Sequence, residues 1–200
     1  MSHKFADIAF TPNVKKAQDV NGSRRSYARL ETGEVHHDVL SQREAAFIAQ
    51  RDSFYMATVS ETGWPYIQHR GGPPGFVRVL DQKTIGFADF RGNHQYITVG
   101  NLETNDRVSM IFMDYPNRAR LKLLGRARLI GSDKQDILDR LSLPDYRAVM
   151  ERGFVITIEA FDWNCPQHIT PRFTPAEIGK AVAPLHQRIA ELEQMLGKNP

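Results

Sequence analysis

Arginine, amide and glycine residues gather where short apolar segments end in this 200-residue chain. Gln68, His69 and Arg70 end one such segment and run directly into Gly71 and Gly72. A guanidinium group binds phosphate through two parallel hydrogen bonds, and adjacent glycines let the backbone approach a bound group closely. The cluster indicates an anion site, while an arginine that only closes a strand before a loop fits the same pattern.

A second cluster lies where an apolar segment gives way to helical spacing. Its members are Asp89, Phe90, Arg91, Asn93, Gln95, Tyr96, Thr98 and Asn101. The first N–H groups of a helix have no partner within the helix and form the positive end of its dipole, which suits phosphate. The spacing predicts a short helix from Asn93 to Val99 that Gly100 ends, with an anion at its beginning. A well-capped surface helix without a ligand is the alternative.

Two later stretches carry further candidates. Basic and apolar residues alternate from Arg118 to Arg128, which is typical of the solvent-facing side of an antiparallel sheet, and Arg120 is the one candidate for ligand binding there. From Trp163 to Arg172 the chain combines an indole, amides that include Gln167, an imidazole and a guanidinium. This stretch either closes over a ring system or connects to the last helix.

Other chemistries lack the residues that they need. The histidines at positions 36, 37, 69, 94 and 168 have no zinc-ligand spacing, and the single cysteine, Cys165, supplies neither a thiolate cluster nor an internal disulfide. No nucleophile elbow, Walker loop or dinucleotide-binding glycine motif occurs. The net charge of +3 comes from scattered residues, so no nucleic-acid partner is expected. Without a leader or a membrane-length apolar run, we expect a cytoplasmic protein with no membrane partner.

The pattern around these clusters predicts the elements that position them. Alternating apolar residues predict strands over 54–59, 64–70, 76–80, 84–90, 108–112, 121–130 and 154–161. Helical spacing and capping residues predict helices that begin after Thr11, Ser41, Ser132 and Thr174, with a short helical piece over 143–146. We therefore expect a mainly β fold with flanking helices, in which a six- to seven-stranded antiparallel barrel holds an anionic, planar cofactor.

The same pattern divides the chain into three parts. Residues 1–40 form a polar N-terminal arm, 41–173 the barrel domain and 174–200 an amphipathic C-terminal helix. In that last helix, apolar residues recur every three or four positions from Ile178 to Leu196, which suits docking or a dimer contact.

Four motifs together resemble the pyridoxamine 5′-phosphate oxidase-like flavoproteins, the FMN-binding split-barrel superfamily. They are Q-H-R-G-G at 68–72, F-R-G-N-H-Q-Y-I-T-V-G-N at 90–101, N-D-R-V-S-M-I-F-M-D-Y at 105–115 and W-N-C-P-Q-H-I-T-P-R-F at 163–173. The resemblance implies a split β-barrel homodimer that binds FMN non-covalently at its interface. It also implies hydride or electron transfer to or from a small molecule, with NAD(P)H or a reductase as electron donor.

The resemblance also implies roles for residues. Arg70 resembles the family's arginine at the start of the central FMN-binding segment. The residues at the phosphate-binding strand end and turn are Asp89, Arg91 and Asn93, those expected to contact the ring or ribityl chain are Gln68, Gln95, Arg120 and Gln167, and those expected to flank the ring are Trp163 and Arg172.

Three features depart from the vitamin B6 oxidases of this family. The Arg-x-His-Asp-Arg run near their C-terminus corresponds here to residues 167–172, where only Arg172 matches. The lysine that closes their first FMN segment is missing, and residues 143–152 do not match their substrate-binding helix. The expectation is therefore an FMN enzyme with another substrate. The alternatives are a haem- or deazaflavin-binding split barrel and a flavin-binding module without turnover, and a haem would require His69, His94 or His168 as axial ligand.

Overall fold

A computed structural model describes residues 3–31 and 37–197, and a seven-stranded sheet forms its centre. The strands are β1 Ser53–Val59, β2 Pro65–Gly71, β3 Val77–Asp81, β4 Thr84–Phe90, β5 Arg107–Asp114, β6 Ala119–Ile130 and β7 Met150–Trp163. They lie in the order β2-β1-β5-β6-β7-β4-β3, and the pairs β1–β2, β1–β5, β3–β4, β4–β7 and β6–β7 are antiparallel. The mainly β, antiparallel fold expected from the sequence is confirmed.

The sheet curls until strands far apart in its order face each other. Phe54 on β1 lies edge-on to Phe87 on β4 with ring centroids 5.1 Å apart, and it stacks near Phe76 at 5.7 Å. At the same side of the sheet, Arg70 on β2 forms an ion pair with Asp89 on β4. Because β2 and β3 remain the two edges, the result is a split barrel.

Alternation along the strands explains which side chains fill the barrel. On β1 the buried residues are every second one, Phe54, Met56 and Thr58, because successive side chains of a strand point to opposite faces. β7 is different: residues 153–156 are all buried, since β7 pairs with a strand on each side and is covered on both faces. Each fully buried phenylalanine or aliphatic side chain contributes roughly 1.5–3 kcal/mol to stability.

The described part of the chain contains seven α-helices. They are α1 Lys4–Ala9, α2 Pro12–Val20, α3 Arg24–Ala28, α4 Gln42–Ala49, α5 Ile97–Thr104, α6 Gln135–Leu141 and α7 Pro175–Met195. The predicted starts at Thr11, Ser41 and Thr174 are confirmed, the last two as complete capping boxes. α1 and α3 were not predicted. No described helix is long and apolar enough to cross a membrane.

Three predicted helical segments are wrong in extent. The helix expected from Asn93 begins at Ile97 instead, and Gly100 lies inside it rather than ending it. The helix expected after Ser132 begins at Gln135, because residues 131–134 close a turn through a hydrogen bond from the Lys134 N–H to the Gly131 carbonyl. Residues 143–146 form a turn without a helix, since Pro144 disfavours the helical conformation of the residue before it.

The described chain divides into two compact units. The first comprises the residues up to Met113 together with Arg120–Cys165, and it contains six of the helices and nearly all of the sheet. The second comprises Asp114–Ala119 and the residues from Pro166, and it contains α7. No described side chain of α7 is buried, so its apolar residues, such as Leu185 and Ile189, face solvent.

Candidate functional site

The two faces of β2 separate the residues of the first predicted cluster. Gln68 and Arg70 are half-buried and point to one face, where they line a small cavity. His69 and Gly71 lie on the other face and are exposed, and His69 contacts Tyr55 edge-on at 5.4 Å. Because side chains alternate along a strand, only every second residue of the motif can reach the cavity.

The cavity also collects most of the second cluster. Its predicted lining residues are Gln68, Arg70, Asp89, Phe90, Asn93, Gln95, Tyr96 and Thr98. It has a volume of about 60 Å³. One water molecule needs a cavity of roughly 10–15 Å³, so this cavity has room for several waters or for one phosphate-sized group.

A network of ion pairs borders the cavity, and Arg70, Asp89 and Glu151 are its members in the lining. Asp89 pairs with Arg70 through one carboxylate oxygen and lies 3.3 Å from the Arg152 Nε through the other. Arg152 also donates to Glu151 at 3.2 Å, and the Arg91 Nε donates to Glu151 at 3.3 Å. Three guanidinium groups therefore share two carboxylates, so this network carries one excess positive charge.

Arg70 occupies the most enclosed position of this network. Its side chain is 16% exposed and lies over the rings of Phe154 at 5.1 Å and Phe87 at 5.8 Å. Its Nε is buried and has no hydrogen-bond partner among the described residues. The guanidinium is thus held in an apolar surround that strengthens its attraction for an anion.

Glu151 is the second hub of the network and was not predicted. Burial alone would raise the pKa of Glu151, but hydrogen bonds from Arg152 and Arg91 and the nearby His94 lower the pKa below its ordinary value. The carboxylate is therefore ionised at neutral pH. Its only sequence signal is the charged pair Glu151-Arg152 directly before an apolar strand, and the predicted strand began three residues too late to include it.

The beginning of α5 supplies backbone N–H groups to the same cavity. Its first-turn residues Ile97, Thr98 and Val99 line the cavity, and the N-cap residue Tyr96 makes no side-chain capping bond. Tyr96 and His94 adopt left-handed conformations at φ 51° and 59°, which cost a residue other than glycine of order 1 kcal/mol each. The uncapped helix terminus is a site where an anion would be stabilised.

A hydrogen bond between two predicted residues fixes β2 against α5. The Thr98 hydroxyl donates to the Gln68 Oε1 at 3.0 Å. One turn later, the buried Asn101 amide donates to the Thr58 hydroxyl at 2.8 Å and does not line the cavity. Asn101 therefore anchors α5 to β1, while Thr98 and Gln68 border the cavity.

The remaining predicted residues lie elsewhere. Arg91 is outside the cavity lining and reaches it only through Glu151. Arg120 does not line the cavity, and its Nε is buried without a partner among the described residues. In the second unit, Gln167 is exposed, and the Arg172 guanidinium lies 4.9 Å over the Tyr115 ring.

Trp163 belongs to a cluster with α4. Its indole N–H donates to Glu44 Oε1 at 2.8 Å, its ring lies edge-on to Phe47 at 4.7 Å, and the Arg43 guanidinium lies over it at 4.4 Å. Burial would raise the pKa of Glu44, but hydrogen bonds from Ser41 and Trp163 lower it. The capping carboxylate of α4 thus also fixes the end of β7.

No metal site is apparent in the described residues, which contain no group of three or more His, Cys, Asp or Glu able to hold an ion. His36, one of the histidines considered from the sequence, lies outside those residues.

Comparison with known proteins identifies one family. The sequence model of the family described as pyridoxamine 5′-phosphate oxidase matches residues 40–153, which is more than half of the chain. No curated protein matches the sequence.

Several solved structures are similar to this chain. HupZ of Group A Streptococcus is 18% identical, with 67% of this chain and 99% of that chain covered and a TM-score of 0.46. A Clostridium acetobutylicum protein related to general stress protein 26, of the pyridoxinephosphate oxidase family, is 17% identical, with 68% and 94% covered and a TM-score of 0.43. HutZ, the haem storage protein of Vibrio cholerae, is 18% identical, with 62% and 94% covered and a TM-score of 0.40.

Proposed function

The chain belongs to the pyridoxamine 5′-phosphate oxidase family, and from this premise we propose that it is an FMN-dependent oxidoreductase that acts on a small molecule. One observation supports the proposal most directly. The uncapped beginning of α5 and the Arg70 guanidinium line the same phosphate-sized cavity. A dianionic phosphate ester is the group that this combination of N–H donors and positive charge favours.

The residues present fit the phosphate end of FMN. The cavity volume of about 60 Å³ suits one phosphate group, and the buried Arg70 Nε has a hydrogen bond still to donate. We propose that Arg70 and the first N–H groups of α5 bind the phosphate, while the Thr98 hydroxyl, whose hydrogen is donated to Gln68, borders the site. Gln68 and Gln95 would contact the ribityl chain or the ring at the cavity mouth. Asn93 would bind the phosphate together with Arg70.

The residues of the protein hold the phosphate-binding groups in place and set the charge around them. When bound, the isoalloxazine ring supplies the two-electron transfer. Asp89 holds the Arg70 guanidinium against β4, and the Thr98–Gln68 hydrogen bond keeps α5 at a fixed place beside β2. Glu151 holds Arg91 and Arg152 near the cavity, which keeps the local charge positive.

We also propose that two copies of the chain pair through the outer face of β2, β1 and β5. Ile67 on this face is 64% exposed and lies beside Ala57, while Tyr55 lies between His69 and Ile111. Pairing would cover this exposed apolar face, which lies on the opposite side of β2 from the residues that line the cavity. Sedimentation should give a dimer mass, and a monomer that still holds flavin would contradict the pairing.

Ile67→Glu should convert the dimer to a monomer and release FMN, because a carboxylate would then be buried at the interface. Val20→Glu is the matched control, since Val20 is an exposed aliphatic residue on α2, 79% exposed. That variant should remain dimeric.

The visible absorption spectrum of the purified protein tests the cofactor assignment. We expect a flavin spectrum and release of FMN into the supernatant after heat denaturation. A colourless protein that also fails to take up added FMN would contradict the assignment. Bleaching by NAD(P)H, followed by reoxidation in air, would support an enzyme. A flavin that neither NAD(P)H nor a reductase bleaches would instead indicate a binding module.

Arg70→Ala tests the phosphate site within this assignment. Loss of charge-assisted hydrogen bonds worth about 3 kcal/mol should weaken FMN binding roughly 100-fold. Arg126→Ala is the control, because Arg126 is likewise an ion-paired arginine, with Asp106 and Glu159 each at 2.8 Å, but lies outside the cavity. Equal FMN affinity in both variants would remove Arg70 from the site.

A haem-binding protein is the second candidate, and His94 is the observation that favours it. Its imidazole lines the cavity, is 53% exposed and lies 3.5 Å from Glu151 through Nε2. Haem binding would require such a ligand to iron. An intense haem spectrum that His94→Ala abolishes would replace the FMN assignment, and a deazaflavin would be identified by the spectrum of the released cofactor.

A further inference from the structure

A second cavity lies between the N-terminal helices and the far ends of β6 and β7. Its volume is about 430 Å³, which is within the roughly 300–1,000 Å³ of small-molecule sites. It shares no lining residue with the cavity that contains Arg70. The helices that form it precede residue 40, where the family match begins, so most of its lining lies outside the matched segment, with Lys122 as the exception.

Four aromatic rings line this cavity. Phe5 and Phe10 come from the α1 segment, Tyr27 from α3 and Trp163 from the end of β7. Phe10 and Tyr27 meet edge-on at 5.5 Å, while Glu44 holds the Trp163 indole from outside the cavity. Rings held in place on three elements offer stacking surfaces to a flat ligand at low entropic cost.

The charged groups of the cavity compensate one another. The Lys122 Nζ lies 3.4 Å from an Asp162 carboxylate oxygen and 4.8 Å over the Phe5 ring. His3 is buried, and burial lowers its pKa from the ordinary value, so its imidazole is neutral at pH 7. The cavity therefore has no net charge with which to attract an ion, in contrast to the Arg70 cavity.

One polar group of the lining has a hydrogen bond to accept. The Asn164 Oδ1 is buried and has no hydrogen-bond partner within residues 3–31 and 37–197. An N–H or O–H group on a ligand would donate a hydrogen bond to this oxygen. In a mainly apolar cavity, a small number of such polar contacts is enough to orient a ligand.

We propose that this second cavity binds an uncharged, planar aromatic small molecule that carries an N–H or O–H donor. The site is independent of the FMN assignment, because the two cavities have no residue in common. The charges of Lys122 and Asp162 cancel, so the cavity does not favour an anionic aromatic molecule. The four rings of the lining favour an aromatic ligand over an aliphatic one.

Two fluorescent probes with the same ring system test the proposal on the full chain. N-phenyl-1-naphthylamine is uncharged and has one N–H donor, whereas 8-anilinonaphthalene-1-sulfonate adds a sulfonate. We expect saturable one-site binding of the uncharged probe and at least tenfold weaker binding of the sulfonate. In a Trp64→Phe background, where Trp163 is the single tryptophan, the uncharged probe should also quench tryptophan emission. Equal affinities, or binding without quenching, would overturn the proposal.

Tyr27→Ala removes one wall of the cavity and should weaken binding of the uncharged probe at least tenfold. Tyr146→Ala is the matched control, because Tyr146 is similarly exposed, at 40% against 45%, and lies edge-on to a phenylalanine at 5.1 Å, but outside the cavity. Unchanged affinity in Tyr27→Ala would overturn the proposal.

A second measurement does not depend on a substitution. Cys165 is exposed and lines the cavity, so the bound uncharged probe should slow its alkylation by iodoacetamide at least threefold. An alkylation rate that saturating probe leaves unchanged would place the probe elsewhere and overturn the assignment. FMN added in place of the probe should not protect Cys165, whether or not the protein proves to be a flavoprotein.

Discussion

The two cavities of the first unit differ in size, charge and chain composition. The Arg70 cavity is small, is walled by guanidinium and carboxylate groups, and lies within the segment that matches the family. The N-terminal cavity is about seven times larger, includes four aromatic rings in its lining, and depends on helices outside that segment. One barrel can therefore carry an anion site and an aromatic site, because separate segments of the chain cover its two ends.

Strand β7 contributes to both cavities. Glu151 near its beginning lines the Arg70 cavity, and Asp162 and Trp163 at its end line the N-terminal cavity. At about 3.3 Å per residue, the strand between Glu151 and Trp163 is roughly 40 Å long. Some substitutions should therefore affect ligand binding in both cavities, and others should affect it in only one.

The largest effect is expected from Gly125→Ala, which should disrupt both cavities together. A Cβ at Gly125 on β6 would lie 2.6 Å from the Thr157 carbonyl oxygen and 2.7 Å from Ile156 Cγ2, both on β7. The strands must separate there, so we expect roughly 3 kcal/mol of lost unfolding free energy in urea denaturation, with weaker binding of both FMN and the aromatic probe.

Gly100→Ala is the control for this substitution. A Cβ at Gly100 would meet nothing within 4 Å, and the residue lies inside α5. The alanine should raise the unfolding free energy by about 0.5–1 kcal/mol, because glycine lowers helix stability. If both variants lost stability equally, the close β6–β7 contact would not be the cause.

Trp163→Phe should separate ring packing from hydrogen bonding at the N-terminal cavity. The phenylalanine keeps an aromatic wall but leaves the buried Glu44 carboxylate without the indole N–H at 2.8 Å. We expect a loss of about 2 kcal/mol in unfolding free energy, and FMN affinity equal to that of the unaltered protein. A large loss of FMN binding would instead indicate that Trp163 contacts the flavin, as its sequence motif suggests.

Asp89→Asn should change the charge of the Arg70 cavity and leave the N-terminal cavity unaffected. The amide removes the carboxylate that pairs with Arg70 and Arg152, so the cavity becomes more positive. We expect FMN to bind about fivefold more tightly in isothermal titration, while the affinity of the aromatic probe stays constant. Weaker FMN binding would mean that Asp89 mainly positions Arg70 and does not compete with phosphate for it.

The smallest effect is a pH dependence confined to the N-terminal cavity. Burial and the stacked His37, at 4.1 Å, lower the pKa of His3, while Asp162 at 3.9 Å and Asp7 oppose this change. Since the folded pKa lies below the unfolded value of 6.5, the contribution of His3 to stability is complete above that pH. This contribution is lost as the pH falls through the folded pKa.

Affinity for the aromatic probe should therefore fall two- to threefold as the pH drops through the folded pKa of His3, because His3 lines the cavity on the side where α1 packs. His3→Gln should flatten the curve. An equal fall in that variant would assign the pH dependence to another group.

Local signals explain the parts of the fold that the sequence predicted well. The capping boxes at Ser41 and Thr174 use residues three positions apart, and the strands follow from alternation within a few residues. The segment before α5 failed because two local preferences compete. The Asn93 Oδ1 accepts a hydrogen bond from the Gln95 N–H at 3.2 Å, which forms a turn where helical spacing alone predicts a helix.

Contacts between distant residues explain the parts of the site that the sequence could not predict. Glu44 and Trp163 are 119 positions apart, so nothing near Trp163 indicates that its N–H is already used. Arg70 and Asp89 were both candidates, but their ion pair follows only from the curl of the sheet. His69 shows the opposite case, in which a motif residue was included although strand alternation directs it to the other face.

The shared strand β7 has a thermodynamic consequence for any ligands of the two cavities. Two sites on one molecule obey reciprocal linkage, so the factor by which one ligand changes the other's dissociation constant applies equally in the reverse direction. A factor of one would show that β7 behaves as a rigid spacer. Any other factor would make the N-terminal helices, through β7, a means by which a neutral aromatic molecule adjusts the anion affinity at the opposite end of the barrel.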